Sequence, residues 1–188
     1  MEAPKPANES ARLEVLRQFE ILDTDPEESF DDLTRLAAYV CHTPIAVISL
    51  IDSDRQWFKS RVGLTPTETT RDISFCAHAI TQSGPLVVRD ALDDERFRDN
   101  PMVLAEPYIR FYAGSPLISV EGYSLGTLCV IDRNPREITP EQIAALRILS
   151  HQVMTQLELR RNINFLSHSL SREKRRVDEL EAQLREKP

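Results

Sequence analysis

Glycine is scarce in this chain of 188 residues, with five in all, and cysteine is scarcer, with three. So few glycines leave no phosphate-cradling loop and no nucleophile elbow, since both need glycines at fixed spacing. Cys41, Cys76 and Cys129 are odd in number and far apart, with no Cys-x-x-Cys or His-x-x-x-His pair among them. That argues against a disulfide framework or a structural zinc and for a reducing, cytosolic setting. No run approaches the roughly 18 apolar residues of a membrane span. The N-terminal stretch MEAPKPANES lacks the apolar segment of a signal peptide. Basic excess is missing too: a net charge of −7 argues against nucleic acid or an anionic membrane as the main partner.

What is present is a core. Apolar residues make up 41% and charged ones 28%, the balance of one globular domain with an extension. Residues 1–9, with two prolines, read as a loose arm. Leu13, Leu16 and Phe19 mark a short amphipathic helix. Asp25-Pro26 followed by Glu28 predicts the start of a second helix, which carries Phe30, Leu33, Ala37 and Val40 on one face and ends near Thr43 because Pro44 follows. IAVISLID and QWFKSRV read as a strand hairpin across DSDR, and GPLVVRDA as a further strand. DDERFRDNPMVL reads as a loop with a short helical turn. IRFYAGSPLIS and YSLGTLCVID read as a second hairpin, with Pro116 making its strand an edge or interrupting it.

After Thr139-Pro140-Glu141-Gln142, which repeats the helix-start signal, no Pro or Gly occurs until Pro188. One helix is expected from Pro140 to about Lys187. Its first part, to Leu159, is apolar enough to pack on a sheet. Beyond it, Ile163, Leu166, Leu170, Glu173, Val177, Leu180 and Leu184 alternate three and four apart, a heptad seam with one polar break. The apolar members of that seam are the expected homodimer interface.

The stretch RDISFCAHAI sets a thiol two residues from an imidazole. With Ser74 as cap, FCAHAITQ reads as a helix, where residues two apart point about 200° from each other. Cys76 and His78 are therefore neither a catalytic dyad nor two ligands of one metal, and no metal site is expected.

The order helix, helix, hairpin, short helix, strand, loop, hairpin, long helix is that of an α+β domain. Its central antiparallel sheet would have helices packed on one face, and its long C-terminal helix would extend as a coiled coil. AVISLIDSDRQWFKSRVGL, DISFCAHAI, LVVRDALDDERFRDNP, IRFYAGSPL, LGTLCVIDR and ITPEQIAALRIL, in that order, make the chain resemble the GAF family of sensor domains over about residues 10–160. It looks most like bacterial members placed upstream of histidine kinases and diguanylate cyclases, with residues 161–188 as the signalling helix. The resemblance implies a small-molecule cup on the sheet face opposite the terminal helices. It leaves the cofactor unknown, since the ligand classes it implies span cyclic nucleotides, bilins, haem, small organic acids or none. Bilin-binding relatives carry Cys directly followed by His, whereas Ala77 intervenes here, and the dispersed Asn-Lys-Phe-Asp-Glu signature of cyclic-nucleotide members is not assembled.

Candidate lining and rim residues of such a cup are Phe58, Phe75, Cys76, His78, Asp90, Phe97, Arg98, Arg110, Phe111 and Tyr112. Adjacent aromatics on a strand face opposite ways, so only one of each pair enters the cup. The expected function is a cytoplasmic sensory or regulatory domain with no catalysis of its own. It binds a small molecule and relays the change through a dimeric exit helix to a kinase or cyclase output domain or another partner. The alternatives are a ligand-free dimerisation module and a thiol enzyme, such as a free methionine sulfoxide reductase, using Cys76 with Cys129.

Overall fold

Period-two alternation gives the sheet two different faces, and helices cover one of them. The computed structural model describes residues 3–185, apart from the side chains of Val177, Leu180 and 181–185. The elements are α1 (Glu9–Gln18), α2 (Glu28–Cys41), β1 (Ile45–Ile51), β2 (Arg55–Val62), β3 (Glu68–Thr70), a 3₁₀ turn (Arg71–Ile73), α3 (Phe75–Ala79), β4 (Leu86–Val88), α4 (Pro101–Leu104), β5 (Phe111–Ile118), β6 (Ser124–Asp132) and α5 (Pro140–Arg185). The strands form one antiparallel sheet in the order β3-β2-β1-β6-β5-β4. This is the α+β architecture expected, with β3, the short sequence ETT, added to the strands expected.

Ala46, Ile48 and Leu50 of β1, Phe111 and Ala113 of β5, and Leu128 and Val130 of β6 face one way. They pack against Leu16 of α1, Phe30 and Ala37 of α2, and Leu146, Leu149, Val153 and Leu157 of α5. The α5 residues recur three and four apart, one stripe of a helix. The alternate residues, Val47, Tyr112, Cys129 and Ile131, face the other way, into a second core with Phe75, Val88, Phe97 and Val103.

Several local expectations need correction. The second helix begins at Glu28, not at Asp25-Pro26, and its N-cap Glu27 makes no side-chain cap. Lys59, fully buried at its side chain, draws the Asp25 carbonyl (2.7 Å) and the Glu27 carboxylate (2.7 Å) to itself. The arm is not loose throughout: Ala3 is buried in the second core, and Glu9 opens α1 and pairs with Arg12 and Arg71. Pro116 sits beyond the end of β4, whose last partner on β5 in that direction is Gly114. Its missing N–H therefore breaks no ladder.

The entry of the chain into α5 follows its sequence signal. The amide of Gln142 donates to Thr139 Oγ1 (3.2 Å) and the amide of Thr139 to Gln142 Oε1 (3.1 Å), a reciprocal capping box. Further along, Ile163, Leu166 and Leu170 are 54, 59 and 71% exposed. Val177, Leu180 and Leu184, the rest of the expected seam, lie outside the described residues.

Candidate functional site

The second face of the sheet holds a partly open, mostly apolar cup of about 290 Å³. Its floor comes from Val47 of β1, Gln56 and Phe58 of β2, Tyr112 of β5 and Ile131 of β6, and its walls from Thr69, Ile73, Phe75, Cys76, Met102, Pro107 and Ile109. A register shift between β1 and β2, where Ile48 pairs with Ser60 and Ser49 with Phe58, makes Lys59 an extra residue. This bulge turns Phe58 to the cup while Lys59 and Ser60 both reach α2 or the turn before it. A larger groove of about 590 Å³ runs beside α5 past Gln18, Glu121 and Phe165, but it is more open to solvent and more polar.

Of the residues singled out from the sequence, Phe58, Phe75, Cys76 and Tyr112 line the cup together. Phe97 stands behind the wall, stacked on Phe75 with ring centroids 4.0 Å apart. His78 packs edge-on against Phe97 at 4.8 Å. Its burial, then the nearby Arg96 guanidinium, hold it below the ordinary imidazole range. Phe111 does not enter the cup: it belongs to the helix-side core, and Tyr112 is the member of that pair facing the cup. Asp90 caps the turn after β4 by accepting from the Leu92 amide (3.0 Å) and borders a separate open groove. Arg98 is exposed and lies 3.8 Å from Asp99. Arg110 donates to the carbonyls of Val103 (2.8 Å) and Ile109 (3.0 Å), so it clamps the α4 loop and does not line the cup.

The sequence reading missed Gln56 and Thr69. Period-two spacing from Phe58 was the available signal for Gln56. Thr69 needed β3, whose register sets it directly opposite Gln56.

Cys76 is the chemical centre of the wall. Ser74 accepts the Ala77 amide (2.9 Å) and so opens α3 as expected. α3 then points Cys76 at the sheet and separates it from His78. Tyr112 Oη donates to Cys76 Sγ at 3.4 Å, Gln56 Nε2 at 3.4 Å, and Cys129 Sγ lies 3.7 Å away. Burial pushes this thiol up, but hydrogen bonds from Cys129, Ser49, Thr127 and Tyr112 outweigh it and hold Cys76 below the ordinary thiol range. The same hydrogen bond with Cys76, together with burial, holds Cys129 well above that range. The two sulfurs therefore titrate as a linked pair, with Cys76 the lower and Cys129 the higher of the two. Among the described residues no cluster of three His, Cys, Asp or Glu side chains is placed to hold a metal.

An antiparallel sheet with terminal helices on one face and a ligand-sized cup on the other defines a class of sensor domain, and the family model described as GAF domain matches residues 25–157. The chain belongs to the GAF domain family, whose members serve as small-molecule sensing modules in signalling proteins. It is 43% identical over 164 residues to the cyclic di-GMP phosphodiesterase PA2567 of Pseudomonas aeruginosa, spanning 87% of this chain but 28% of that protein. Among solved structures it resembles the GAF domain of an Acinetobacter phosphoenolpyruvate-protein phosphotransferase, with a TM-score of 0.60 at 18% identity over 82% of this chain and 97% of that one. It also resembles the free methionine-R-sulfoxide reductase of Neisseria meningitidis, with a TM-score of 0.59 at 18% identity over 87% and 99%. Both structural likenesses speak to the fold. Among the described residues no helix is long and apolar enough to cross a membrane.

Proposed function

We propose that this domain is a cytoplasmic sensory and regulatory module, without catalysis of its own, that binds a small molecule in the cup and relays its presence through α5. The relay acts within a homodimer joined along the seam of Ile163, Leu166 and Leu170, and its output is a signalling enzyme of the kinase, cyclase or phosphodiesterase kind. One observation carries this reading. Lys59, the bulge residue next to Phe58, donates to Glu27 at 2.7 Å, and Arg160 of α5 pairs with the same Glu27 oxygen at 3.1 Å. Deeper in, the hydroxyls of Ser115 on β5 and Ser150 on α5 meet at 2.8 Å. A shift of the cup floor therefore has two polar routes to the exit helix, and a coupling of about 1–3 kcal/mol suffices to bias an output. The exposed seam residues support the dimer.

Native mass spectrometry and sedimentation test it together. The full chain is expected to be a dimer, and a chain ending at Leu159 a monomer. A truncated chain that dimerises as tightly as the full one overturns the seam. A dimer whose cup takes up no small molecule leaves the ligand-free assembly module in its place.

The 3.7 Å between Cys76 and Cys129 sulfurs favours a second reading, a thiol enzyme of the methionine sulfoxide reductase kind, with Cys76 as attacking thiolate and Cys129 as resolving thiol. Turnover of free methionine sulfoxide that disappears in Cys76→Ser supports it, and absence of turnover ends it.

A further inference from the structure

We propose that the cup takes an uncharged, ring-sized, mostly apolar molecule carrying a carbonyl next to an N–H, read by Gln56 and Thr69 acting as a pair. This deepens the sensory reading and rests on it.

Two buried polar atoms in the residues of the cup have no partner. Gln56 is 6% exposed. Its amide nitrogen is used on Cys76, while its Oε1 is buried and accepts from nothing. Thr69 Oγ1 is likewise buried and unpartnered. Both residues line the cup. They are also direct cross-strand partners on β2 and β3, and such partners lie side by side on one face of a sheet. A buried polar group without a hydrogen bond costs free energy, so a pair of them in residues that line one cavity marks where a ligand's polar edge belongs. An amide oxygen can only accept, and a hydroxyl can donate. Set beside each other they complement a group that donates through N–H and accepts through C=O, as a carboxamide or lactam does.

Charge and size narrow the rest. The residues lining the cup include no Lys, Arg or His, and the groups there that titrate are Cys76, Glu106 and Tyr112. An anion, whether carboxylate or phosphate, would enter without a counter-charge. A cation would lose its water against Phe58, Phe75, Met102 and Ile109. Nothing in the lining matches a nucleotide's phosphates, so a relative's link to a cyclic dinucleotide does not extend to this cup. The volume equals that of about ten liquid waters, room for a single substituted ring.

Matched six-membered-ring probes separate the possibilities: benzamide, acetophenone, benzoate and benzamidine, titrated into the full chain with methyl-labelled methionine. Met102 lines the cup and Met154 lies in the helix-side core, so binding in the cup moves the Met102 methyl signal and leaves Met154 in place. Benzamide is expected to bind most tightly. Gln56→Met keeps the length but removes the acceptor, and should weaken benzamide about three- to tenfold with little change for acetophenone. Thr69→Val, which keeps the shape, should weaken both, and it carries the test if Gln56→Met fails to fold. Tighter binding of benzoate or benzamidine, or benzamide binding indifferent to both substitutions, overturns the ligand class while leaving the cup a binding site. If no probe moves Met102, the cup reading itself falls, and the ligand class with it.

Discussion

On β5, Phe111 and Tyr112 are neighbours in sequence and belong to different interiors. Phe111 packs under α1, α2 and α5 in a core of Leu, Ile, Val, Ala and Phe. Tyr112 faces α3, the α4 loop and a cavity, with its hydroxyl on a sulfur. The difference lies in what covers each face. Long helices present continuous apolar stripes that interdigitate with a sheet and leave no void. A five-residue helix, a four-residue helix and connecting loops cannot tile the same area, and their backbone polar groups need partners. The helix side is therefore built for stability. The cup side holds room and a thiol held below its ordinary range, and it gives up packing to do so.

Truncating one residue on each face is the strongest test of that contrast. Leu128→Ala, at a fully buried position under the helices, should cost about 3–5 kcal/mol. Met102→Ala, beside a cavity that already exists, should cost about 1 kcal/mol, because little new void is created. Urea unfolding of both variants measures this. Equal losses would mean that the cup is packed as tightly as the helix side and that the comparison fails.

The next test concerns the clasp between the faces. Glu9 on α1 accepts two hydrogen bonds from Arg12 and one from Arg71, which lies in the turn leading to α3. Both guanidinium groups are buried. Burial raises the Glu9 carboxyl, but the two arginines outweigh it and hold it at about 2. A lowered carboxyl stabilises the fold fully above its unfolded value near 4.5 and loses that contribution as pH falls towards 2. Glu9→Gln leaves two buried cations without their carboxylate. It should cost about 2 kcal/mol near neutral pH, less than a fully buried pair because Glu9 is partly solvated, and should flatten the acid limb of the stability profile. An unchanged acid limb in that variant would remove Glu9 from the account.

How much of this could be read beforehand follows the same division. The helix side was legible, because stripes at three- and four-residue spacing and the Thr139–Gln142 capping box are local signals. The strands' alternation was legible too, including the rule that Phe111 and Tyr112 part company, but not which of them faces the cup. That depends on which face the helices choose, a tertiary fact. The bulge at Lys59 and the pairing of Thr69 with Gln56 depend on register, which no window of sequence displays. Of the arginines and the aspartate taken for a rim, Arg110 is spent on carbonyls, Arg98 lies beside Asp99 and Asp90 caps a turn. In loops, charged side chains satisfy backbone and one another before any ligand.

The smallest expected effect is also the most specific to the cup side. Tyr112→Phe removes one oxygen at a fully buried position and one donor from Cys76. Gly114 leaves the space that lets the ring lie along its own strand, since a Cβ there would stand 2.1 Å from the Tyr112 hydroxyl. The lost hydrogen bond should cost about 1 kcal/mol of stability, well below the truncation under the helices. Its signature is in titration. Cys76 is held below the ordinary thiol range by donors of which Tyr112 is one, so its contribution to stability is present above that range and is lost as pH falls through its lowered value. With the donor gone, the pH at which iodoacetamide begins to alkylate Cys76 should rise, while alkylation of Cys41, whose thiol burial pushes up to about 11, stays where it was. Cys41 is thus the internal control from the helix side. If both cysteines shift together, the substitution has loosened the whole sheet, and the two faces are not independent.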